Sequence, residues 1–207
     1  MPCKLRAVRL GIYGGSFDPI HRGHIAAAQA ARQARGLGCV LLLPAGAPPH
    51  KKKGCVATFE HRLEMVRLAV AGREGLEAME LEGQRKGPSY TVDTVEELRA
   101  QHPAGEFELM VGADMLEDLP GWRRVEELLT MVRVVAFARP GADSEQAQAT
   151  FRDQYGPGSF LWLQVPPFPA ASREIRRRLA GGEDIEEWLD PPVSAYIREH
   201  GLYTNEP

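Results

Sequence analysis

The sequence is poor in several features, and each shortage removes a class of protein. Cysteine occurs three times, at Cys3, Cys39 and Cys55. An odd count at scattered positions is no disulfide framework, and nothing has the paired spacing of a zinc site. The expectation is reduced thiols, as in a cytosol. Long apolar runs are absent: no segment approaches the ~20 residues of a membrane span. Met1 to Arg9 is basic, but no apolar stretch or cleavage site follows, so no export signal is expected. A soluble, cytoplasmic protein is the consequence. Excess positive charge is lacking too. With 25 Lys and Arg against 28 Asp and Glu, and a pI near 6.1, the chain is unlike one that wraps duplex nucleic acid. No Ser/His/Asp or Cys/His arrangement presents itself as a nucleophile.

What is present is ordinary in amount and ordered in pattern. At 207 residues, 43% hydrophobic and 26% charged, the chain can bury a core as one domain, 1–207, with 168–207 as a helical subregion. Short β-rich runs alternate with helical stretches. Val8–Tyr13, Cys39–Leu43, Leu76–Leu81, Phe107–Val111, Val132–Ala138 and Phe160–Val165 read as strands. Ile25–Arg35, a helix capped by Thr58, Thr91–Ala100, Val125–Leu129, Ser172–Leu179 and Val193–His200 read as helices. Gly141–Gly158 reads as a polar excursion with some helix. Alternation of this kind predicts an α/β fold: a Rossmann-like, doubly wound parallel sheet with a small C-terminal helical appendage. Ligands of such sheets bind at the carboxyl ends of the strands, where the strand order reverses. The loops after Tyr13, Leu43, Val111 and Val165 are therefore the places to look.

The first of these loops is the most informative. Gly14-Gly15-Ser16-Phe17-Asp18-Pro19-Ile20-His21-Arg22-Gly23-His24 follows a strand and opens a helix. The glycine pair permits a sharp turn and close approach, and the helix start offers N–H groups and positive dipole to an anion. His21 and His24, at i and i+3, share a face and can address one phosphate chain, with Gly23 keeping bulk away. A plain tight turn, or a partial metal site, is the bland alternative. No third ligand sits at useful spacing, so no metal-binding residues are assigned.

Four more segments end strands or open helices. Pro44–Lys53 is a proline-shaped loop ending in Lys51, Lys52 and Lys53, which is either a solvated cluster or a phosphate contact. In Pro88-Ser89-Tyr90-Thr91-Val92-Asp93-Thr94, Thr91 looks like an N-cap, and the helix start would also suit a carboxylate. In Gly112-Ala113-Asp114-Met115-Leu116, Asp114 is placed to accept from ribose hydroxyls or to cap a helix. Trp122, between Gly121 and Arg123-Arg124, is either core or a stacking surface. Ser172-Arg173-Glu174-Ile175-Arg176 opens an arginine-rich helix with Ser172 as its natural cap.

On these residues the chain resembles the nucleotidylyltransferase superfamily with its GGSFDPxHxGH signature. Within it, the chain resembles the bacterial nicotinate-nucleotide adenylyltransferases, over nearly its whole length to Gly201-Leu202-Tyr203. The resemblance implies transfer of the adenylyl group of ATP to nicotinate mononucleotide, with Mg²⁺ held mainly through ATP oxygens. It implies that His21, His24, Lys51 and Arg176 serve catalysis. Gly14, Gly15, Ser16, Phe17, Asp18, Gly23 and Ser172 would line the ATP phosphates. Tyr90 and Thr91 would recognise the pyridine carboxylate, Asp114 the ribose, and Trp122 would stack on the base. Arg139-Pro140-Gly141 matches the family's R-P-G without an assigned chemistry. Ala170, Ala171 and Arg173 depart from the family's I-S-S/A-T pattern, so either Ser172 serves alone or Arg173 supplies charge in place of a hydroxyl. Three rivals remain: nicotinamide mononucleotide or another phosphorylated acceptor as substrate, a nucleotide-binding module without catalysis, and a nucleic-acid binder using the Lys51–Lys53 and Arg173–Arg178 clusters. The acidic balance counts against the last.

Overall fold

The computed structural model describes residues 9–46, 55–83, 85, 87–137 and 145–204. Its sheet is made of β1 (Arg9–Gly15), β2 (Cys39–Pro44), β3 (Leu76–Ala78), β4 (Glu106–Gly112), β5 (Arg133–Phe137) and β6 (Phe160–Leu163). Every pairing is parallel, in the order β3-β2-β1-β4-β5-β6. The order reverses between β1 and β4, and that crevice is where ligands of such sheets bind.

The period-two alternation of strand side chains divides the core into two. Tyr13, Val40, Leu42, Met110, Val135 and Phe137 point to one face. There α1 (Arg22–Arg35), α2 (Phe59–Val70), α7 (Ser172–Ala180) and α8 (Pro191–Glu199) cover them. Leu10, Ile12, Leu41, Leu109, Val111, Val134 and Ala136 point to the other. There they meet α3 (Thr91–Gln101), α4 (Met115–Asp118), α5 (Val125–Met131) and α6 (Glu145–Tyr155). The doubly wound sheet is therefore present. Burial on both faces is why the strands read as near-continuous apolar runs.

The local signals account for most of the helices. α1 buries Ile25, Ala27, Ala28 and Ala31, then ends at Gly36, whose φ of 60° suits glycine. Thr58 caps α2 by accepting from the His61 N–H at 3.5 Å. Pro191 opens α8, where a missing N–H costs nothing. The C-terminal segment adds Ile175, Ile185, Trp188, Leu189, Val193, Ile197 and Tyr203 to the first core. The excursion expected between Gly141 and Gly158 contains α6, held by Phe151, which is 0% exposed and contributes about 1.5–3 kcal/mol by burial.

Several expectations are corrected. β1 continues through Gly14 and Gly15, which pair with Leu43 and Pro44, so the turn comes at Ser16–Pro19 rather than at the glycines. β3 stops at Ala78: the Met79 N–H still reaches Leu42 O at 2.9 Å, but the chain then turns at residues 81–83. β6 stops at Leu163. Tyr90, not Thr91, is the N-cap of α3, and Ala171, not Ser172, that of α7; neither uses its side chain. The short α4 and a 3-10 turn at Leu119–Gly121 had no signal in the apolar pattern. Cys55 is a free thiol, and Cys3 lies outside the described residues. Among the described residues, no helix is long and apolar enough to cross a membrane.

Candidate active site

The loop after β1 is built around an imidazole stack. The rings of His21 and His24 lie face to face, with centroids 3.7 Å apart and planes at 29°. Phe168 stacks on the other side of His21 at 4.9 Å and 4°. The Phe17 edge meets His24 at 5.1 Å. Phe17 itself has φ 45°, a left-handed conformation that costs a non-glycine residue energy and is held here by burial to 1% exposure. Gly23 has a specific reason. A Cβ there would lie 2.6 Å from the Phe168 ring, so glycine makes room for the aromatic residue.

The start of α1 differs from the expected row of open donors. The Arg22 N–H is bonded to Trp188 O at 3.0 Å, the His24 N–H to His21 O at 2.9 Å, and the His21 N–H to His24 Nδ1 at 3.2 Å. Those three amides are thus engaged within the protein. The last bond also sets a tautomer. A ring nitrogen that accepts from an amide carries no proton, so neutral His24 is protonated on Nε2.

Asp18 was expected among the phosphate-lining residues, but its carboxylate points into the protein and is 2% exposed. It accepts from the Val56 N–H at 2.7 Å, the Ala57 N–H at 3.1 Å and the Tyr203 hydroxyl at 2.7 Å. Its backbone carbonyl accepts from Arg176 Nη1 at 2.6 Å, while Nη1 lies 3.9 Å from Oδ2. Arg176 is thereby fixed beside the loop, and its buried Nε–H has no hydrogen-bond partner among the described residues. Ser172 donates its hydroxyl proton to Pro19 O at 3.0 Å, which ties α7 to the loop and takes that donor away from an anion. Gly14 is exposed and Ser16 half-buried at the same edge, and Ser16 O accepts from Arg62 Nη1 at 2.8 Å.

Two segments far apart in sequence meet across the β1–β4 crevice. Tyr90 and Trp122 are half-buried and pack against the second core. The Arg123 guanidinium lies 4.7 Å over the Tyr90 ring. Arg124, in a left-handed conformation with φ 54°, bonds Glu96 and Glu127 and lies 3.6 Å from Asp93. It clips α5 to α3. Thr91 occupies the first position of α3. Asp114 is exposed at the end of β4 and makes no side-chain cap to α4, so the capping alternative falls away. Lys51 and Arg139 lie outside the described residues, as do Lys52 and Lys53.

Sequence reasoning did not single out Phe168, Arg62, Glu82, Arg123 or Tyr203. For Arg62 a signal existed. It shares a helix face with Phe59 and Val66, and a charge inside an apolar stripe needs a buried partner. For Phe168 and Tyr203 there was none, because their partners lie well over a hundred residues away. Among the described residues, no three His, Cys, Asp or Glu side chains gather into a metal cage.

Residues 12–178 match the cytidylyltransferase-like family. The chain is 42% identical over 198 residues to the probable nicotinate-nucleotide adenylyltransferase of Gloeobacter violaceus, covering 94% of this chain and 96% of that one. It is also 42% identical, over 196 residues, to the protein of the same name from Thermus thermophilus, covering 95% and 100%. Among solved structures it resembles Plasmodium falciparum nicotinic acid mononucleotide adenylyltransferase complexed with NaAD, with a TM-score of 0.74 at 20% identity over 96% of this chain and 98% of that one. At that identity the likeness speaks for the fold. The chain belongs to the cytidylyltransferase-like family and, within it, to the nicotinate-nucleotide adenylyltransferases.

Proposed function

We propose that this chain transfers the adenylyl group of ATP to nicotinate mononucleotide, giving deamido-NAD and pyrophosphate, in a bacterial-type cytoplasm. The observation that carries the reading is the stacked His21–His24 pair with Arg176 fixed at the same loop, at the carboxyl end of β1. A 5′-phosphate oxygen of the mononucleotide attacks the α-phosphorus of ATP. One P–O bond forms, the bond to the β-phosphate bridge breaks, and pyrophosphate leaves with the electron pair. The substrate is its own nucleophile. The protein supplies position and charge for two anions that repel each other. His24 donates from Nε2–H to an α-phosphate oxygen, and His21, stacked beneath it, holds that ring in place. Arg176 offers its Nε–H, and Lys51 its ammonium, to the departing pyrophosphate. Arg173, exposed at the start of α7, adds positive charge.

With no metal cage among the described residues, Mg²⁺ would ride on ATP oxygens and water, and when bound it neutralises phosphate charge. At the base end, Trp122 stacks on the pyridine ring, and Tyr90 and Thr91 flank its carboxylate. Asp114 accepts from the ribose. Arg123 favours the acid over the amide: it has no ion-pair partner among the described residues, unlike Arg124. No nucleic acid and no membrane enters this reading.

The test is pyrophosphate release with ATP and Mg²⁺, comparing nicotinate mononucleotide, nicotinamide mononucleotide and phosphopantetheine, with His24→Ala as the control. The expected result is strong preference for nicotinate mononucleotide and a loss on the order of a hundredfold or more in His24→Ala. Preference for another acceptor overturns the substrate. Tight ATP binding without release from any acceptor makes the chain a binding module.

A further inference from the structure

Two charged side chains beneath the site converge on one residue, Gly46. Arg62 is 2% exposed and gives its guanidinium to three carbonyls: Ser16 O at 2.8 Å, Ala57 O at 3.3 Å and Gly46 O at 3.4 Å. Among the described residues it has no carboxylate in ion-pair contact. Glu82 takes the other side of the same residue: its Oε2 accepts from the Gly46 N–H at 3.2 Å. Its Oε1 accepts from the Thr94 hydroxyl at 3.2 Å, in α3, one turn from Tyr90 and Thr91. Thr94 Oγ1 in turn accepts from Arg85 at 2.6 Å, and Arg85 reaches Glu97. Gly46 is also fixed sterically, since a Cβ there would lie 2.5 Å from Glu82 O.

The chain of contacts Ser16–Arg62–Gly46–Glu82–Thr94 joins the phosphate loop, the start of the loop after β2 and the helix that opens at the base end. Its cost argues that it serves something other than stability. Burial holds the Glu82 carboxyl above its ordinary range, despite the lowering effect of the Gly46 and Thr94 bonds and of Arg85 and Arg62. An acid so raised costs folding free energy when ionised, and the cost is relieved as pH falls towards its unfolded value. A buried charge of this kind is weak evidence for stability.

We propose that Glu82 is a positioning residue for nucleotidyl transfer, holding Gly46 and Thr94 so that the phosphate loop and the base-recognition helix keep one spacing. This rests on the adenylyl-transfer reading above. The experiment uses the full chain and measures thermal midpoint together with kcat and KM for both substrates in Glu82→Leu, Glu82→Gln and Thr94→Val. Leucine removes both acceptors. The expected result is a fall in kcat/KM for the mononucleotide on the order of tenfold to a hundredfold, measured well below the variant's own thermal midpoint, where it is fully folded. Glutamine restores most of the activity, because its oxygen still accepts from Gly46 and its NH2 donates to Thr94. Thr94→Val gives a smaller loss, and the Glu82→Leu/Thr94→Val double variant is no worse than Glu82→Leu. Glu82→Leu activity within about twofold of wild type overturns the proposal, as does equal impairment by leucine and glutamine or loss in step with the folded fraction. Should Glu82→Leu not fold, an unimpaired Thr94→Val overturns it alone. A wild-type chain that releases no pyrophosphate removes the underlying reading and this proposal with it.

Discussion

The Tyr203 hydroxyl donates to Asp18 Oδ1 at 2.7 Å, closing a contact across 185 positions of sequence. Both residues are buried, at 5% and 2% exposure, and the Asp18 carbonyl is the anchor of Arg176. The C-terminal turn thus helps to hold the loop that carries the site.

Tyr203→Phe is expected to lose about 1.5–3 kcal/mol of stability, the usual worth of a hydrogen bond to a charged group. Urea unfolding measures it. Burial and the Asp18 carboxylate raise the Tyr203 pKa well above its ordinary 10.0. A raised acid contributes stability that is complete below its unfolded value and lost as pH rises through the folded one. The difference between wild type and variant should therefore be constant below pH 10 and shrink only above it. A difference that disappears near neutrality would count against the bond.

Gly23→Ala places a methyl 2.6 Å from the Phe168 ring, which stacks on His21. Overpacking of this kind costs about 1–3 kcal/mol, and displacing Phe168 removes one wall of the imidazole stack. Lower kcat is expected in Gly23→Ala and in Phe168→Ala, with Gly23→Ala/Phe168→Ala no worse than Phe168→Ala. Steady-state kinetics on the single and double variants decide it; additive losses would place the glycine's role elsewhere.

Arg123→Met keeps length and removes charge. If Arg123 selects the acid, kcat/KM for nicotinate mononucleotide falls about tenfold, the equivalent of 1.4 kcal/mol, while that for nicotinamide mononucleotide stays level. Equal effects on both substrates would assign Arg123 to Tyr90 packing alone.

Glu174 bonds Arg177 at 2.8 and 2.9 Å and Arg178 at 3.1 Å on the surface of α7. These bonds lower its pKa from 4.5 to about 2. A lowered carboxylate contributes stability that is present above the unfolded value and lost as pH falls through the folded one. The stability gap between wild type and Glu174→Gln should thus be open at pH 7 and close between pH 4.5 and about 2. Because the pair is exposed, added salt should narrow it at neutral pH. Thermal midpoints at several pH values give the answer.

Much of the fold was legible because the relevant physics is local. Val40, Leu41, Leu42 and Leu43 are all apolar because a parallel strand is covered on both sides, and Thr58 and Pro191 mark helix starts through bonds made or avoided within one turn. Glu108 shows the limit. A glutamate inside β4 would be a poor strand-core residue, yet it is 3% exposed, because Arg35 and Arg9 reach it from elsewhere in the chain. The site divides the same way. The histidine spacing and the arginine of α7 could be read directly. The inward turn of Asp18 and the Ser172 bond to Pro19 could not.

The sequence by itself determined the alternation of strands and helices, the loop with His21 and His24, and the family to which these belong, since each is written in spacings of a few residues. Only the tertiary structure decided which polar groups are left for a ligand and which are consumed in holding the frame. Buried donors and acceptors must find partners, and for Asp18, Arg62 and Ser172 those partners come from segments whose nearness depends on the strand order and on how the helices pack over it.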